Sequence, residues 1–333
     1  MKNKCLIIAE AGINHNGELS TALKLCDAAK EAGADIVKFQ TWKTEALITR
    51  SVGQAKYQAE NTKKQESQFD MLKKLELKYD DFKKIKAHCD EIGITFASTA
   101  DEPESLDFLI DLGIPFIKIG SGDICNIPFL RYMGSKKMPV ILSTGMSTAE
   151  QVRISVKALK DGGCDDITLL HCTTNYPTPF NDVNLKAMLT LKEEFGFKVG
   201  YSDHTLGGEV AVAAVALGAE VIEKHFTLDS SMPGPDHKAS TEPAEFKKMT
   251  QEIRNVEIAL GSKEKKPTAA EKEIKKVVTK RIVARSDIKK GDVFSPDNLC
   301  VKRNDTGLLA IDWDNVIGKK AEADFKADCG ITL

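Results

Sequence analysis

An eight-stranded (β/α)8 barrel followed by a small β-rich domain is the fold this sequence predicts, on three observations. Eight short apolar runs alternate with amphipathic segments over roughly 260 residues, the count and size of such a barrel. The Gly-x-Gly-x-x-Gly turn that would favour the rival, a doubly wound open sheet, is missing after the first run. Past Gly261 the alternation stops and Lys, Glu and Ala dominate.

The runs read as strands at Cys5–Ala9, Asp35–Phe39, Ile94–Ala97, Phe116–Ile119, Pro139–Leu142, Ile167–Leu170, Lys198–Tyr201 and Val221–His225. Helical spacing is clear between them, as in Thr21–Ala32 and Ala149–Asp161. The long interval 42–93 implies an inserted segment, whose Asn61, Gln65 and Gln68 suit a lid. The barrel domain is taken as 1–261. Residues 262–276 read as a linker with a helical portion, and 277–333 as a separate small domain with β-like runs at Arg281–Ala284, Val293–Phe294 and Leu299–Val301. That tail is marginal in size for an independent core, so it is expected to pack on its own barrel or on a partner subunit.

Composition narrows the function. The chain has 333 residues, 42% of them hydrophobic and 29% charged, which excludes disorder and collagen-like repetition. Lys plus Arg 47 against Asp plus Glu 49 gives a net charge of -2, against a polybasic surface for nucleic acid or anionic membrane. The eight cysteines contain no Cys-x-x-Cys pair and read as reduced, mostly buried thiols. The first apolar stretch stops at Glu10, too short for a signal-peptide core, and nothing approaches a membrane span. A cytoplasmic protein is the expectation.

The strand ends carry the chemistry. In a barrel enzyme the active site lies where strands hand over to their loops. Here those positions hold Glu10, Lys38, Thr99, Lys118 with Ser121, Ser143, His171, Ser202 with His204, and Glu223 with His225. Any one of them reads equally well as a cap or a satisfied core group. So many polar groups on one rim point to a shared ligand. Strands 2 to 5 bring two ammonium groups and three hydroxyls together, an anion site suited to phosphate. Strands 7, 8 and 1 are neighbours once the barrel closes, so His204 and His225 can reach one metal ion. Glu223 is then a third ligand or an orienter.

These residues sit in motifs that resemble the sialic acid synthase family. They include Ile8-Ala9-Glu10-Ala11-Gly12-Ile13-Asn14-His15-Asn16-Gly17, Val37-Lys38-Phe39-Gln40-Thr41, Lys118-Ile119-Gly120-Ser121-Gly122-Asp123 and Leu142-Ser143-Thr144-Gly145-Met146. Further along stand His171-Cys172-Thr173, Tyr176-Pro177-Thr178-Pro179, Gly200-Tyr201-Ser202-Asp203-His204-Thr205, Glu223-Lys224-His225-Phe226-Thr227 and Gly234-Pro235-Asp236-His237-Lys238-Ala239-Ser240. The tail, with Asp287-Ile288-Lys289-Lys290-Gly291 and Val301-Lys302-Arg303, resembles that family's antifreeze-like (SAF) domain.

The resemblance implies a synthase condensing phosphoenolpyruvate with an N-acetylated aminosugar aldehyde and water, with loss of phosphate by C–O cleavage. It implies a divalent ion (Mn2+, Mg2+ or Co2+) held by His204 and His225. It places Lys38, Thr99, Lys118, Ser121, Ser143 and Ser202 on phosphoenolpyruvate, and Gln40, Asn61, Asp123, Tyr176 and Asp236 on the sugar. It implies a domain-swapped homodimer in which Arg303 reaches the neighbouring subunit's sugar. Glu10, Lys38, Lys118 and His225 are the expected catalytic residues. The base that hydrates C2 is Glu10 or a metal-bound water. N-acetylmannosamine, giving N-acetylneuraminate, is the first reading of the sugar. The alternative is 2,4-diacetamido-2,4,6-trideoxymannose, giving N,N'-diacetyllegionaminate. Departures from the usual family pattern are Ala100-Asp101 after Thr99, the Thr174-Asn175 pair, and Asn304-Asp305 after Arg303. Rival classes are a metal-dependent aldolase or hydrolase on the same barrel, and a non-catalytic ice- or carbohydrate-binding protein.

Overall fold

The computed structural model describes residues 4–54, 61 and 66–333. The chain divides into two compact units, the first ending at Gly261 and the second being Ser262–Leu333. In the first unit eight parallel strands close into a barrel in chain order. The strands are β1 (Leu6–Gly12), β2 (Ile36–Thr41), β3 (Thr95–Ala100), β4 (Ile117–Ile119), β5 (Val140–Ser143), β6 (Ile167–Cys172), β7 (Lys198–Asp203) and β8 (Val221–His225). Helices α1 (Leu19–Glu31), α2 (Thr44–Leu47), α3 (Gln68–Leu75), α4 (Tyr79–Ile92), α5 (Pro103–Leu112), α6 (Ile127–Ser135), α7 (Ala149–Gly162), α8 (Ala187–Phe195), α9 (Glu209–Ala216) and α10 (Pro243–Leu260) connect or follow them.

Helix α7 shows why these segments are helical. Thr148 caps its first turn by accepting from the Gln151 amide, while the Gln151 side chain accepts from the Thr148 amide. Val152, Val156 and Leu159 recur at helical spacing and are buried, and Gly163 ends the helix in the left-handed conformation.

Alternation along the strands builds the barrel interior in two layers. Ile8, Ile36, Ala97, Phe116, Ile141, Leu170 and Val221 pack as one buried apolar cluster. Two residues further along the same strands stand Glu10, Lys38, Thr99, Lys118, Ser143, Cys172 and Glu223, which all line a cavity. The intervening residues, such as Ile7, Val37, Phe96, Ile117, Leu142, Val199 and Ile222, face the helices in the main core.

Several strands extend past the expected ends. Those expected to stop at Ala9, Ala97 and Tyr201 continue to Gly12, Ala100 and Asp203. Polar residues that look like loop starters remain in the ladder because they are paired inside the barrel. The expected lid residue Gln65 lies outside the described residues, and Gln68 opens α3.

In the second unit, α11 (Ala269–Val278) precedes two antiparallel strands, β9 (Lys280–Ala284) and β10 (Leu299–Arg303). Val293 forms only an isolated bridge to Lys320, not the expected strand. Ile282, Ala284, Ile288, Phe294, Leu299, Val316, Ala321 and Ile331 form a small core of its own.

Gly200 marks a close approach of β7 to β8: an added Cβ would collide with the carbonyl oxygen of Val221 and press on the Leu170 side chain. Gly200→Ala should therefore lose about 1–3 kcal/mol of stability. Urea denaturation of the two proteins checks this, and an unchanged midpoint would show that the strand absorbs the methyl group.

Candidate active site

The cavity at the C-terminal ends of the strands has a volume of about 220 Å³. It gathers Glu10, Lys38, Gln40, Thr99, Lys118, Ser121, Ser143, Tyr176, Ser202, His204, Glu223 and His225 around one space. The expected anion site and the expected metal pair are thus one site, joined by carboxylates. Lys38 Nζ lies 2.5 Å from Glu10 Oε2 and 3.6 Å from Glu223 Oε2, and donates to Thr99 Oγ1 at 3.0 Å. Lys118 Nζ donates to Ser143 Oγ at 2.8 Å and lies 3.5 Å from Glu223 Oε1. Gln40 Nε2 donates to Glu10 Oε1 at 3.0 Å, and Ser202 Oγ donates to Glu223 Oε1 at 3.0 Å.

Four charged groups with almost no solvent exposure must settle among themselves. Burial alone would discharge Lys38, but the Glu10 and Glu223 carboxylates outweigh it and hold its ammonium above the usual range. For Lys118 burial wins over the attraction of Glu223 and pushes it down. Burial pushes Glu223 up, yet Lys118, Lys38 and the Ser202 hydroxyl overcome that and keep it ionised. Glu10 is raised, because burial and the Glu223 charge exceed what Lys38 supplies.

The imidazoles of His204 and His225 face each other with centroids 5.5 Å apart, and the Tyr176 ring lies 4.3 Å from that of His204. His204 Nδ1 meets the carbonyl of Thr173 at 2.7 Å. A carbonyl only accepts, so Nδ1 carries the proton and Nε2 keeps its lone pair. His225 Nδ1 is buried without a hydrogen-bond partner. Burial lowers His204, and burial with His204 nearby lowers His225 to about 3, so both rings are neutral at pH 7. Two neutral imidazoles, one oriented through a carbonyl and one with an orphaned nitrogen, fit a divalent ion. The third-ligand alternative for Glu223 is corrected. Its carboxylate is engaged by the lysines and Ser202, and no cluster of three or more potential ligands forms among the described residues.

Within the first unit, the expected residues Asn61, Asp123 and Asp236 are not among those that line the cavity. Asn61 Nδ2 donates to the carbonyl of Pro235 at 2.7 Å. Asp123 accepts from Asn126 Nδ2 at 2.9 Å. Asp236 is buried at the foot of the β8 loop, near enough to Glu10 to feel its charge. Arg303 is exposed at the end of β10. His171, a rim candidate, points away and meets the Val183 carbonyl at 2.8 Å, while its neighbour Cys172 lines the cavity. Asp101, Met146, Cys172 and Thr174 line it too. Asp101 was findable by stepping two residues from Thr99 along an extended strand. Thr174, whose buried Oγ1 lacks a partner, belongs to the Thr174-Asn175 pair that departs from the family pattern.

The chain matches the NeuB family over residues 25–265 and the SAF domain over 279–333. It is 47% identical to the N,N'-diacetyllegionaminic acid synthase of Legionella pneumophila, covering 99% of this chain and 93% of that protein. It is also 47% identical to the N,N'-diacetyllegionaminic acid synthase of Campylobacter jejuni, with 98% of each chain covered. Among solved structures, the N-acetylneuraminic acid (sialic acid) synthetase of Leptospira borgpetersenii, in complex with citrate, superposes with a TM-score of 0.71 at 36% identity. That match covers 82% of this chain and 90% of that one.

Burial, then the Glu10 charge, raises the Asp236 carboxyl from 3.8 to about 7. The folded state therefore binds a proton that the unfolded chain has lost, and stability falls as pH rises from about 4 through 7. Asp236→Asn should flatten that slope, so the variant gains on the wild type between pH 5 and 8. Denaturant midpoints measured across that range check it, and parallel pH profiles would refute the raised carboxyl.

Proposed function

Because this chain belongs to the NeuB family, we propose that it condenses phosphoenolpyruvate with an N-acetylated aminosugar aldehyde to give a nine-carbon 2-keto acid and phosphate. The observation that carries this reading is one cavity lined by the ammonium groups of Lys38 and Lys118, the hydroxyls of Thr99, Ser121, Ser143 and Ser202, the carboxylates of Glu10 and Glu223, and the neutral imidazoles of His204 and His225. The relatives at 47% identity favour the 2,4-diacetamido sugar over the N-acetylmannosamine of the first reading.

Lys38 and Lys118, with Thr99, Ser121, Ser143 and Ser202, hold the phosphate and carboxylate of phosphoenolpyruvate. With the lysines balanced by Glu10 and Glu223, the cavity is near neutral, and a trianion needs further positive charge to enter. His204 and His225 would hold a divalent ion that supplies this charge and the Lewis acidity that polarises the aldehyde. C3 of phosphoenolpyruvate bonds to the aldehyde carbon, whose oxygen takes up a proton. The positive charge left at C2 is stabilised by Glu10 and Glu223. Glu10, with its raised carboxyl, accepts the proton of the water that adds to C2. The C2–O bond to phosphate then breaks and the ketone forms. Gln40, Tyr176, Asn61, Asp123 and Asp236 orient the sugar. No helix among the described residues is long and apolar enough to cross a membrane; the reaction belongs in the cytoplasm, where phosphoenolpyruvate is made.

Phosphate should be released only when both phosphoenolpyruvate and an aminosugar are supplied, fastest with the 2,4-diacetamido sugar. An 18O label in the bridging oxygen should leave in the phosphate. EDTA, or His204→Ala, should reduce turnover at least about 100-fold. Phosphate release without a sugar, or full turnover in EDTA, would overturn the reading.

The SAF-containing unit would act across a homodimer, with Arg303 donating to the sugar bound by the partner's barrel. Arg303→Ala should lower kcat/KM for the sugar by roughly 10- to 150-fold, the loss of one charged hydrogen bond. Phosphoenolpyruvate binding should be unchanged. Heterodimers of Arg303→Ala with Glu10→Ala restore one intact site, so partial activity should return. Heterodimers shown to form yet remaining inactive would rule out action in trans.

A further inference from the structure

Asp203 and Lys224 directly precede the two histidines and stand opposite each other in the β7–β8 register. Alternation turns both side chains outward, away from the cavity and toward the apolar layer that contains Tyr201 and Ile222. Their side chains are 0% and 2% exposed. Lys224 Nζ donates to Asp203 Oδ2 at 2.7 Å and to the carbonyl of Thr205 at 2.8 Å. Asp203 Oδ1 accepts from the amide and the hydroxyl of Thr205, at 2.9 and 2.7 Å. The ion pair therefore pins the turn 203–205 to β8, and His204 is the middle residue of that turn.

We propose that Asp203 and Lys224 are positioning residues that set the spacing and ring orientation of His204 and His225 from behind the barrel wall. The inference rests on reading those imidazoles as the pair that holds a divalent ion. A buried ion pair contributes little net stability compared with apolar side chains of similar size, so stability alone gives no reason for it here. Geometry does. The turn is gripped from the other side as well: the Thr178 amide donates to the His204 carbonyl at 2.8 Å, and His204 Nδ1 donates to Thr173 at 2.7 Å. With both grips in place the Nε2 lone pair is aimed into the cavity. Without the Lys224 tether the turn is free to shift relative to β8, which carries His225.

The test is an apolar replacement of the pair, Asp203→Leu with Lys224→Met, read in two ways. In the metal-free protein, 15N-histidine NMR reports the tautomer of His204. The wild type should show the Nδ1–H form, against the preference of free imidazole in water, and the double variant should revert toward Nε2–H. Mn2+ affinity, measured by EPR of the free ion, should fall about 10- to 100-fold, while the thermal midpoint stays within about 5 °C. A folded double variant that keeps the Nδ1–H tautomer and binds Mn2+ within about threefold of wild type overturns the proposal. If the double variant does not fold, Asp203→Asn retains the acceptor for Thr205 but loses the charge facing Lys224, and the same two readouts decide. Wild-type protein that binds no Mn2+ refutes the metal reading, and the tautomer comparison still decides the positioning role.

Discussion

Mutual neutralisation of Lys38, Lys118, Glu10 and Glu223 inside the barrel is the constraint on which the site depends. Each is nearly sealed from solvent, and an isolated ion in such a place costs several kcal/mol. Removing any one leaves a partner's charge less well compensated in the interior. Glu10 faces Lys38 through the β1–β2 register and His225 through the β1–β8 register. Closure of β8 onto β1 therefore brings the second carboxylate and the imidazoles to the lysines. An open sheet would leave those charges at its two edges.

The layer beneath closes the quartet off on one side. Ile8, Ile36, Ala97, Phe116, Ile141, Leu170 and Val221 fill the barrel below it, so water does not reach the charges from the other end. The charges are consequently strong in their effect on one another and on anything that enters. Lys118, whose ammonium burial disfavours, sits 3.5 Å from the Glu223 carboxylate, whereas Lys38 is held at 2.5 Å by Glu10. That asymmetry leaves Lys118 the less tightly paired of the two lysines.

Much of this was legible in the sequence, and the failures have physical causes. Polar residues at strand ends announced the barrel rim because burying a polar side chain requires a partner. The strand limits were misjudged for the same reason: Glu10, Thr99 and Ser202 find their partners inside the ladder, so the strands do not stop at them. A one-residue shift in alternation separates His171, which turns outward, from Cys172, which lines the cavity. That shift depends on where β6 begins, and a short apolar run does not specify its own phase. The charge pairing of Lys38 with Glu10 also escaped notice, since spacing names the strands but not which ammonium meets which carboxylate. Thr174 and Asn61 sit on loops and an insertion, where no periodicity points to a direction.

On the proposed reading, the division between strand ends and loops separates the two halves of the reaction. Groups suited to phosphoenolpyruvate, namely Lys38, Thr99, Lys118, Ser143 and Ser202, lie in the ladder itself, where register fixes them to the precision of backbone hydrogen bonds. Tyr176, Thr174 and Asp236 lie beyond the strands, on connections whose length and sequence can change without opening the barrel. The matched proteins are named for different sugar acids, as diacetyllegionaminic and as sialic acid synthases. On the proposed reading, the sugar would be read in this chain by the loops and the anion held at the strand ends. Loop side chains can change without touching a buried charge, whereas a change at Lys38 or Glu223 would leave an unpaired charge in the interior.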